Sequence, residues 1–336
     1  MSADETVVCS TLGMFIMDIF DFGSDRPPIP DQIGGGGTYV NVAARMWLEP
    51  AQLGMIVDRG SDWREDIQRQ LDSYGPCWVF RDDARRLTTR ARATYKGETR
   101  GFEYLTPKVR LSPPDLASTK LAAPKYLHFV CSPTRALEII KDIDDLGWTD
   151  RTKLVYEPIP DLCVPSEMPA LKQVIPRLHI FSPNHEEAGT FFGEAIEEQE
   201  SEGKPQKIEE LAQRFLDLGL RRTCIIRSGR LGAYVKQADS YAQSETTRRG
   251  TWIPAYYQNS DKVVDVTGAG NSFLGGLMAG LFLEKEDVLQ ACLYGSVSSS
   301  YVIEQYGLPG IDSEGCWNST DKPTERLQAM RTRLAM

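Results

Sequence analysis

The sequence predicts a doubly wound α/β fold: a largely parallel sheet flanked by helices, with a small inserted β-sheet lid. Short apolar, β-branched runs alternate with helical periodicities along the whole 336-residue chain, which is the pattern of βα units. One segment, residues 77–110, interrupts this alternation with consecutive strand patterns. No internal repeat or linker is visible, so we predict a single domain over residues 1–336 with residues 77–110 as the lid.

The strands predicted for the main sheet are short and are bounded by Gly, Pro, Ser or Asp. They span residues 6–11, 53–57, 126–131, 153–156, 178–181, 223–227 and 233–236. The predicted helices have apolar residues three or four apart. They span residues 38–47, 62–74, 134–146, 208–218, 272–283 and 288–305. One more short strand is predicted to end at Asp265, just before a helix that begins near Asn271.

The predicted lid contains three strands, over residues 77–80, 87–95 and 101–105, which are joined by polar turns. Several strands without helices between them indicate a separate small antiparallel sheet. Such a sheet could stand off the main body with one apolar face. The alternative is an edge extension of the main sheet.

Charge and cysteine content exclude several classes of function. The formal net charge is -9 and the pI is near 5.1, whereas binding to a nucleic-acid backbone depends on Lys and Arg. We expect no nucleic-acid partner and interpret the basic stretch 81–110 as a solvated β-ribbon. Seven widely spaced cysteines without a C-x-x-C pair indicate neither a disulfide framework nor a zinc ribbon. The N-terminus lacks a basic and apolar leader, and no apolar run reaches about 18 residues, so we expect a cytoplasmic protein without a membrane partner.

The most informative stretch is residues 263–276, where small residues stand between a predicted strand and an amphipathic helix. The glycines around Ala269 allow the backbone to approach an anion closely. The free N–H groups of the first helical turn then point at that anion with the helix dipole behind them. This pattern predicts a phosphate or oxyanion site, although a Gly-Ala-Gly sequence is equally compatible with tight strand-to-helix packing.

This stretch resembles the C-terminal signature of the PfkB/ribokinase family of sugar and nucleoside kinases. The matching residues are Asp265, Thr267, Gly268, Ala269, Gly270, Ser272 and Phe273. In that family the Gly-Ala-Gly amides bind the transferred phosphoryl group, and the following Asp takes the proton from the substrate hydroxyl. Asn271 stands at that position here. The resemblance implies a ribokinase-like fold, ATP and Mg²⁺, a small polyol substrate, and a homodimer formed through the lid.

Two further segments resemble the family's substrate-binding motifs. Residues 34–43 resemble the N-terminal signature Gly-Gly-x-x-x-Asn-x-Ala. The resemblance implies that Gly36 and Gly37 lie against the substrate and that Asn41 hydrogen-bonds its hydroxyls. Residues 13–18 resemble the first-strand segment, which implies a substrate role for Asp18. A glycine run is also typical of a flexible turn, and Asn41 could lie on a helix surface.

The nucleotide side of the site is represented by two other segments. Asn184 and Glu187 match the family's Pro-Asn-x-x-Glu segment, which implies water-mediated binding of Mg²⁺ near the phosphates. The same spacing is that of a helix cap with its first-turn carboxylate. The strand turn with Gly229 and Gly232 resembles the nucleotide-side turn, where Arg227 and Ser228 replace commoner residues. The resemblance implies nucleotide contacts for Arg227, Gly229, Gly232 and Thr267, and it implies that the late helix over residues 291–307 borders the adenine pocket.

Two arginines of the lid, Arg90 and Arg92, are candidates for contact with a substrate phosphate through their planar guanidinium groups. Alternatively, Arg90 and Arg92 are exposed charges on the lid without a substrate role. Substrate identity does not follow from these residues, since Asp18 and Asn41 suit any polyhydroxylated ligand.

Three hypotheses about activity remain. The first is ATP-dependent phosphotransfer to a hydroxyl of a sugar, nucleoside or related polyol, with Asp18, Asp265 or the phosphate itself receiving the proton. The second is a pseudokinase that binds nucleotide or sugar and reports ligand state to a partner through its lid. The third is altered chemistry in the same pocket. An amide lacks a basic lone pair, and general-base catalysis contributes about 10²- to 10⁴-fold. Slow kinase activity is therefore compatible with Asn271, and some fungal PfkB-like proteins resemble this chain in having this Asn together with a Glu-Pro segment like residues 157–160.

Overall fold

The computed structural model describes residues 7–23, 27, 29–96, 99–196 and 203–335, with the backbone alone described for residues 95, 96, 99 and 100. Thirteen strands lie in this part of the chain. They are β1 Cys9–Thr11, β2 Ile16–Asp21, β3 Gln32–Gly34, β4 Leu53–Gly60, β5 Trp78–Asp83, β6 Arg90–Lys96, β7 Thr99–Tyr104, β8 Tyr126–Cys131, β9 Lys153–Pro158, β10 Ile180–Phe181, β11 Thr223–Arg227, β12 Ala233–Gln237 and β13 Thr251–Ile253.

Eleven α-helices lie in the described part of the chain. They are α1 Gly36–Arg45, α2 Glu65–Ser73, α3 Pro113–Ala117, α4 Pro133–Asp145, α5 Met168–Val174, α6 His185–Thr190, α7 Lys204–Asp217, α8 Glu245–Arg249, α9 Ala269–Leu283, α10 Val288–Val302 and α11 Pro323–Leu334. Short 3₁₀ turns connect some of them. These turns are Pro50–Gln52, Pro160–Leu162, Pro165–Glu167, Ile175–Arg177 and Gly229–Leu231.

The main sheet has nine strands in the order β13-β12-β11-β10-β9-β8-β1-β4-β5. All neighbours are parallel except the pairs β11–β12 and β12–β13. Helices cover both faces, as β11 shows: Ile225 packs into the core shared with α9 and α10, while Cys224 and Ile226 pack into the core shared with α4 and α7. This alternation of burial along a strand confirms the predicted doubly wound α/β fold.

Helices α9 and α10 pack closely, and this fixes the position of the first turn of α9. A Cβ atom on Gly276 would lie 2.4 Å from Oγ of Ser298, and one on Gly280 would lie 2.7 Å from Cα of Ala291. Small residues at these positions let the two backbones approach. The phosphate-loop candidate therefore begins a helix that packs against α10.

The small sheet has four strands in the order β3-β2-β6-β7. Strand β2 is antiparallel to β3 and parallel to β6, and β6 is antiparallel to β7. Half of this sheet therefore comes from residues 16–34, which precede the predicted insertion at residues 77–110.

The start of the lid differs from the prediction. Residues 78–83 form β5, which pairs in parallel with β4 at the edge of the main sheet, as the edge-extension alternative stated. The reason is that Trp78 is buried against Tyr74 and donates its indole N–H to the Leu71 carbonyl at 2.8 Å. These contacts hold the strand to the core next to α2.

The loop before α9 also differs from the prediction, since residues 263–268 contain no strand. The N–H groups of Val264 and Asp265 donate instead to the Ile303 carbonyl at 2.7 and 3.3 Å. Val264 and Val266 are 51% and 59% exposed, so these apolar residues do not belong to a sheet core. The loop is anchored to the end of α10, and α9 begins at Ala269, two residues before Asn271.

Candidate functional site

The candidate site lies at the carboxyl ends of the parallel strands of the main sheet. Strands β1, β9, β10 and β11 end there, and the first turn of α9 faces them through contacts with Glu157 and Arg227. Parallel strands bring the side chains that follow them to one edge, and this edge is the usual ligand site of open α/β sheets.

The first turn of α9 has two N–H groups available to a ligand. Gly268 precedes the helix with φ +78, and a Cβ atom there would lie 2.4 Å from Cγ of Tyr39. The Ala269 N–H donates to the Val266 carbonyl at 3.2 Å, and the Ser272 N–H donates to the Gly268 carbonyl at 2.8 Å. The N–H groups of Gly270 and Asn271 lie between these two, and no backbone acceptor for them occurs in the described part of the chain. The anion-binding role of Gly268, Ala269 and Gly270 stays a prediction.

The side chain of Asn271 is bound to a buried carboxylate. Its Nδ2 donates to Oε2 of Glu157 at 2.7 Å. The other Glu157 oxygen, Oε1, lies 2.6 Å from Nη1 of Arg227. His128 Nε2 contacts Oε2 at 3.1 Å. Glu157 is 5% exposed, so this carboxylate is held by three donors from three different elements.

Burial opposes ionisation of Glu157, but the charge of Arg227 and the hydrogen bonds from His128 and Asn271 outweigh it and hold the pKa at about 2. Because the carboxylate is ionised, the Asn271 atom facing it must be the amide nitrogen, and His128 must carry a proton on Nε2. Glu157 is therefore a structural anion at neutral pH and a weak base.

Two hydrogen bonds hold His128 on the side of its ring that faces away from Glu157. Gly13 N–H donates to Thr11 Oγ1 at 2.9 Å, and Thr11 Oγ1 lies 2.8 Å from Nδ1 of His128. The order Thr11, His128, Glu157 resembles that of a hydrolase triad. Thr11 is 1% exposed and His128 is 0% exposed, so a substrate has no access to either, and these hydrogen bonds serve to orient His128.

Arg227 joins the two acidic segments of the site to α9. Its Nη2 donates to the Ser182 carbonyl at 3.1 Å and lies 3.6 Å from Oε2 of Glu187. A Cβ atom on Gly270 would lie only 2.0 Å from Nη1. The guanidinium therefore packs directly on the first turn of α9, where an anion would bind.

Asn184 and Glu187 form a capping box at the start of α6, the structural alternative stated above. Asn184 Oδ1 accepts from the Glu187 N–H at 2.8 Å, and the Glu187 carboxylate accepts from the Asn184 backbone N–H at 2.7 Å and from Nδ2 at 2.9 Å. Burial is the main cause that raises the pKa of Glu187 to about 7, and Arg227 opposes it.

A magnesium ion would find oxygen ligands here, although no cluster of three or more metal-binding side chains occurs in the described residues. Each Glu187 oxygen has a second lone pair beyond its capping bond, and Asn184 is half-buried rather than enclosed. These oxygens fit the water shell that Mg²⁺ retains in proteins. Water-mediated Mg²⁺ binding by Asn184 and Glu187 stays a prediction.

The glycine run is well structured rather than a flexible turn. Gly34 ends β3, and Gly36 and Gly37 begin α1. A Cβ atom on Gly37 would lie 2.1 Å from the Gly13 carbonyl oxygen, and one on Gly36 would lie 3.0 Å from Nδ2 of Asn271. The glycines thus bring the N-terminal signature into contact with residue 271.

The two carboxylates that were candidates for the proton acceptor are Asp18 and Asp265, and that role stays a prediction for both. Asp18, on β2, is 5% exposed and lies over Gly34, where a Cβ atom would be 1.8 Å from its Oδ2. Asp265 Oδ1 accepts from the N–H and the hydroxyl of Thr267 at 3.3 and 2.9 Å. Glu157 is the carboxylate that Asn271 contacts.

Three predicted substrate residues have their observed contacts outside the Asn271 cluster. Asn41 is buried and donates to the Cys77 carbonyl at 3.4 Å. Arg90 is bound to Asp62 at 2.6 Å and to Asp31 at 3.1 Å. Arg92 pairs with Glu103, and its side chain is 41% exposed. The substrate roles of these three side chains stay predictions.

The turn after Arg227 is tight and needs its glycines. Gly229 has φ +53 and Gly232 has φ +90, and a Cβ atom on Gly232 would lie 2.1 Å from the Ile253 carbonyl oxygen. The Ser228 N–H donates to the Gly232 carbonyl at 2.7 Å. This turn holds the end of β11 and therefore the backbone of Arg227.

Sequence reasoning did not assign Glu157, His128 or Thr11 to the site. Thr11 ends β1, Glu157 is the last residue but one of β9, and His128 lies in the middle of β8; nearly all residues of these three strands are buried. A buried polar residue in such a run needs a partner, and this was the available signal.

The chain is similar to a family of carbohydrate kinases and to a yeast protein. Residues 124–312 match the family described as pfkB family carbohydrate kinase. The chain is 35% identical over 323 residues to Protein MAK32 of Saccharomyces cerevisiae, covering 90% of this chain and 86% of that protein.

Solved structures show the same fold. A ribokinase from Giardia lamblia has a TM-score of 0.69 at 17% identity, covering 98% of this chain and 99% of that one. A putative ribokinase II from E. coli in complex with ATP and Mg²⁺ has a TM-score of 0.65 at 17% identity, covering 97% of this chain and 99% of that one.

Among the described residues, no helix is long and apolar enough to cross a membrane. From the family match, the relative and the shared fold, we conclude that the chain belongs to the PfkB family of carbohydrate kinases, as a divergent member related to a yeast protein.

Proposed function

We propose that the protein binds ATP with Mg²⁺ at the first turn of α9 and transfers the terminal phosphoryl group slowly to a hydroxyl of a sugar, nucleoside or related polyol. The observation that carries this proposal is the pair of available N–H groups on Gly270 and Asn271, with the Arg227 guanidinium packed against them. A helix N-terminus with an adjacent cation suits a phosphate. The fold is shared with a kinase that binds ATP and Mg²⁺.

The residues of this chain would stabilise the negative charge of the phosphates and position the acceptor hydroxyl. The Gly270 and Asn271 amides would donate to the oxygens of the transferred group, where negative charge is spread in a loose transition state. Asn184 and Glu187 would hold the water shell of Mg²⁺, and bound Mg²⁺ would neutralise the phosphate charge. Without a Cβ atom, Gly36 would leave space beside Asn271 for the acceptor hydroxyl, whereas Gly37 packs against Gly13.

Proton removal is the weak step. Asn271 has no basic lone pair, and Glu157 is buried with a pKa of about 2. The proton would pass to Asp18, to Asp265 or to the phosphate itself. Loss of a positioned base lowers a rate by about 10²- to 10⁴-fold, so we expect slow turnover.

A second candidate function is a pseudokinase that binds nucleotide or sugar without transfer. The Asn271–Glu157 hydrogen bond favours it, because this bond places a neutral group at the transfer point and ties it to the core. In this case the protein would report ligand state to a partner through its lid.

Calorimetric titration with ATP in the presence and absence of Mg²⁺, followed by a phosphotransfer panel of pentoses, nucleosides and phosphosugars, separates these functions. We expect Mg²⁺-dependent ATP binding and slow transfer to one acceptor class. Binding without transfer to any acceptor would leave the pseudokinase. Absence of nucleotide binding would contradict both.

The lid also carries the proposed homodimer contact. Phe102 on β7 is 52% exposed, and Leu105 just after it is 39% exposed. Apolar side chains exposed together on a small sheet favour association with another surface. A second copy of the chain, meeting lid to lid, is the partner that the family resemblance implies.

A further inference from the structure

We infer that Glu157 is a positioning residue for Asn271: its buried carboxylate requires a donor at position 271 and turns the amide oxygen toward the ligand side of α9. The inference rests on the proposed function for its catalytic consequence, because it explains why a kinase site has an amide where a base is expected. Its structural part, the dependence of residue 271 on Glu157, stands on the contacts alone.

The first step is the requirement for a donor. Oε2 of Glu157 accepts from Asn271 Nδ2 at 2.7 Å and from His128 at 3.1 Å. An aspartate at position 271 would place a second carboxylate within hydrogen-bond distance of the first. Two carboxylates at this separation cannot both ionise and would share one proton. Asn271 satisfies Glu157 without that conflict.

The second step is orientation. Because Nδ2 is bound to Glu157, the amide oxygen Oδ1 is the atom left for a ligand. Asn271 is half-buried, whereas Glu157 is 5% exposed, so the ligand side of this pair is the Asn271 side. The oxygen can accept a hydrogen bond from a substrate hydroxyl and thereby orient it, but it cannot take the proton.

The third step concerns the charges around the pair. Arg227 from β11 contacts Oε1, His128 from β8 contacts Oε2, and Glu187 from α6 lies beyond Arg227 at 3.6 Å. Arg227 and His128 both favour the ionised form of Glu157. In an Asn271→Asp variant the shared proton would therefore reside mainly on the introduced carboxyl group, which would not be a base at neutral pH.

The test compares Asn271→Asp, Glu157→Gln and the double variant. In the double variant a glutamine at 157 can accept from Arg227 through its oxygen and donate through its amide to the carboxylate introduced at position 271, so that carboxylate stays ionised. The proton of His128 would then move to Nδ1, where Thr11 Oγ1 can accept it. We expect Asn271→Asp to transfer the phosphoryl group faster than the wild type only at a pH above 7, where the shared proton is lost. The double variant should exceed it at pH 7 by about tenfold or more, within the range of general-base effects.

A second readout does not depend on activity. In Asn271→Asp the unfolded carboxyl ionises near pH 4 while the folded pair retains its proton. The free energy of unfolding of Asn271→Asp, relative to wild type, should therefore decrease as the pH rises from about 4 to 7. The double variant should show no such decrease. Urea unfolding at pH 4, 5.5 and 7 measures this.

The two readouts separate the inference from the proposed function. If no variant transfers phosphoryl but Asn271→Asp shows the pH-dependent loss of stability, the positioning role of Glu157 stands and the kinase proposal fails. If Asn271→Asp matches the wild-type stability profile, the two side chains are not coupled and the inference is overturned. The single variant decides this even if the double variant folds poorly.

Discussion

Replacing Arg227 by methionine is expected to lower the free energy of unfolding by about 3–5 kcal/mol, the range for removing one partner of a buried ion pair. Arg227 lies 2.6 Å from Glu157 and 3.6 Å from Glu187, and all three side chains are nearly enclosed. Methionine keeps the volume but leaves both carboxyl groups without this cation. Equilibrium urea unfolding at pH 7 measures the loss.

The pH dependence of this loss identifies the carboxyl groups of Glu157 and Glu187 as its source. In the wild type the Glu157 pKa of about 2 lies below the unfolded value near 4.3. The Glu157 contribution is therefore complete above pH 4.3 and disappears as the pH falls toward 2. Without Arg227 the Glu157 pKa rises, so the difference between variant and wild type should be largest at pH 7 and shrink at lower pH.

Arg221→Met is the matched control, because Arg221 is exposed at the start of the same strand region. We expect a change of no more than about 0.5 kcal/mol, which is typical of surface substitutions. Equal losses in both variants, or a loss in Arg227→Met that does not vary with pH, would contradict the buried ion-pair network.

Replacing Gly268 by alanine is expected to weaken ATP binding by at least about 100-fold, or roughly 2.8 kcal/mol. At φ +78 an alanine is strained by about 1–2 kcal/mol, and its Cβ would overlap the Tyr39 ring at 2.4 Å. Tyr39 is buried, so the first turn of α9 must move, and with it the N–H groups of Gly270 and Asn271. Calorimetric titration with ATP and Mg²⁺ measures the effect.

Substitutions at two other glycines separate the effect of backbone strain from the effect of the overlap with Tyr39. Gly147 has φ +67 with nothing within 4 Å of its Cβ position, and Gly310 is open and unstrained. Gly147→Ala should cost stability without loss of ATP binding, and Gly310→Ala should change neither. ATP binding by Gly268→Ala at wild-type strength would place the phosphate site away from this turn.

The fold was predictable because its signals are local and repeated. Runs such as residues 126–131 and 223–227 are apolar on both faces, as strands of a covered parallel sheet must be, and both strands have these bounds in the structure. The Gly-Ala-Gly sequence predicted a helix that begins near Asn271, and α9 begins two residues earlier, at Ala269. Periodicity does not tell which sheet a strand joins, and for this reason residues 78–83 were assigned to the lid.

The cluster around Asn271 was not predictable, because its members are far apart in the chain. Thr11, His128, Glu157 and Arg227 come from four strands that only the sheet order brings together. The predicted strand ending at Asp265 fails for a related reason: its apolar residues are exposed, and the loop is held by the Ile303 carbonyl rather than by a neighbouring strand. Contacts between residues far apart in the chain, rather than local secondary-structure propensity, determine both the Asn271 cluster and the loop before α9.

The central claim is that the first turn of α9 binds the terminal phosphoryl group of ATP beside an amide held by Glu157. The most direct test is a crystal structure of the protein with Mg²⁺ and a non-hydrolysable ATP analogue. We expect a terminal phosphoryl oxygen within hydrogen-bond distance of the Gly270 and Asn271 N–H groups, with Asn271 Nδ2 still bound to Glu157. A nucleotide bound elsewhere, or Asn271 turned away from Glu157, would contradict the account.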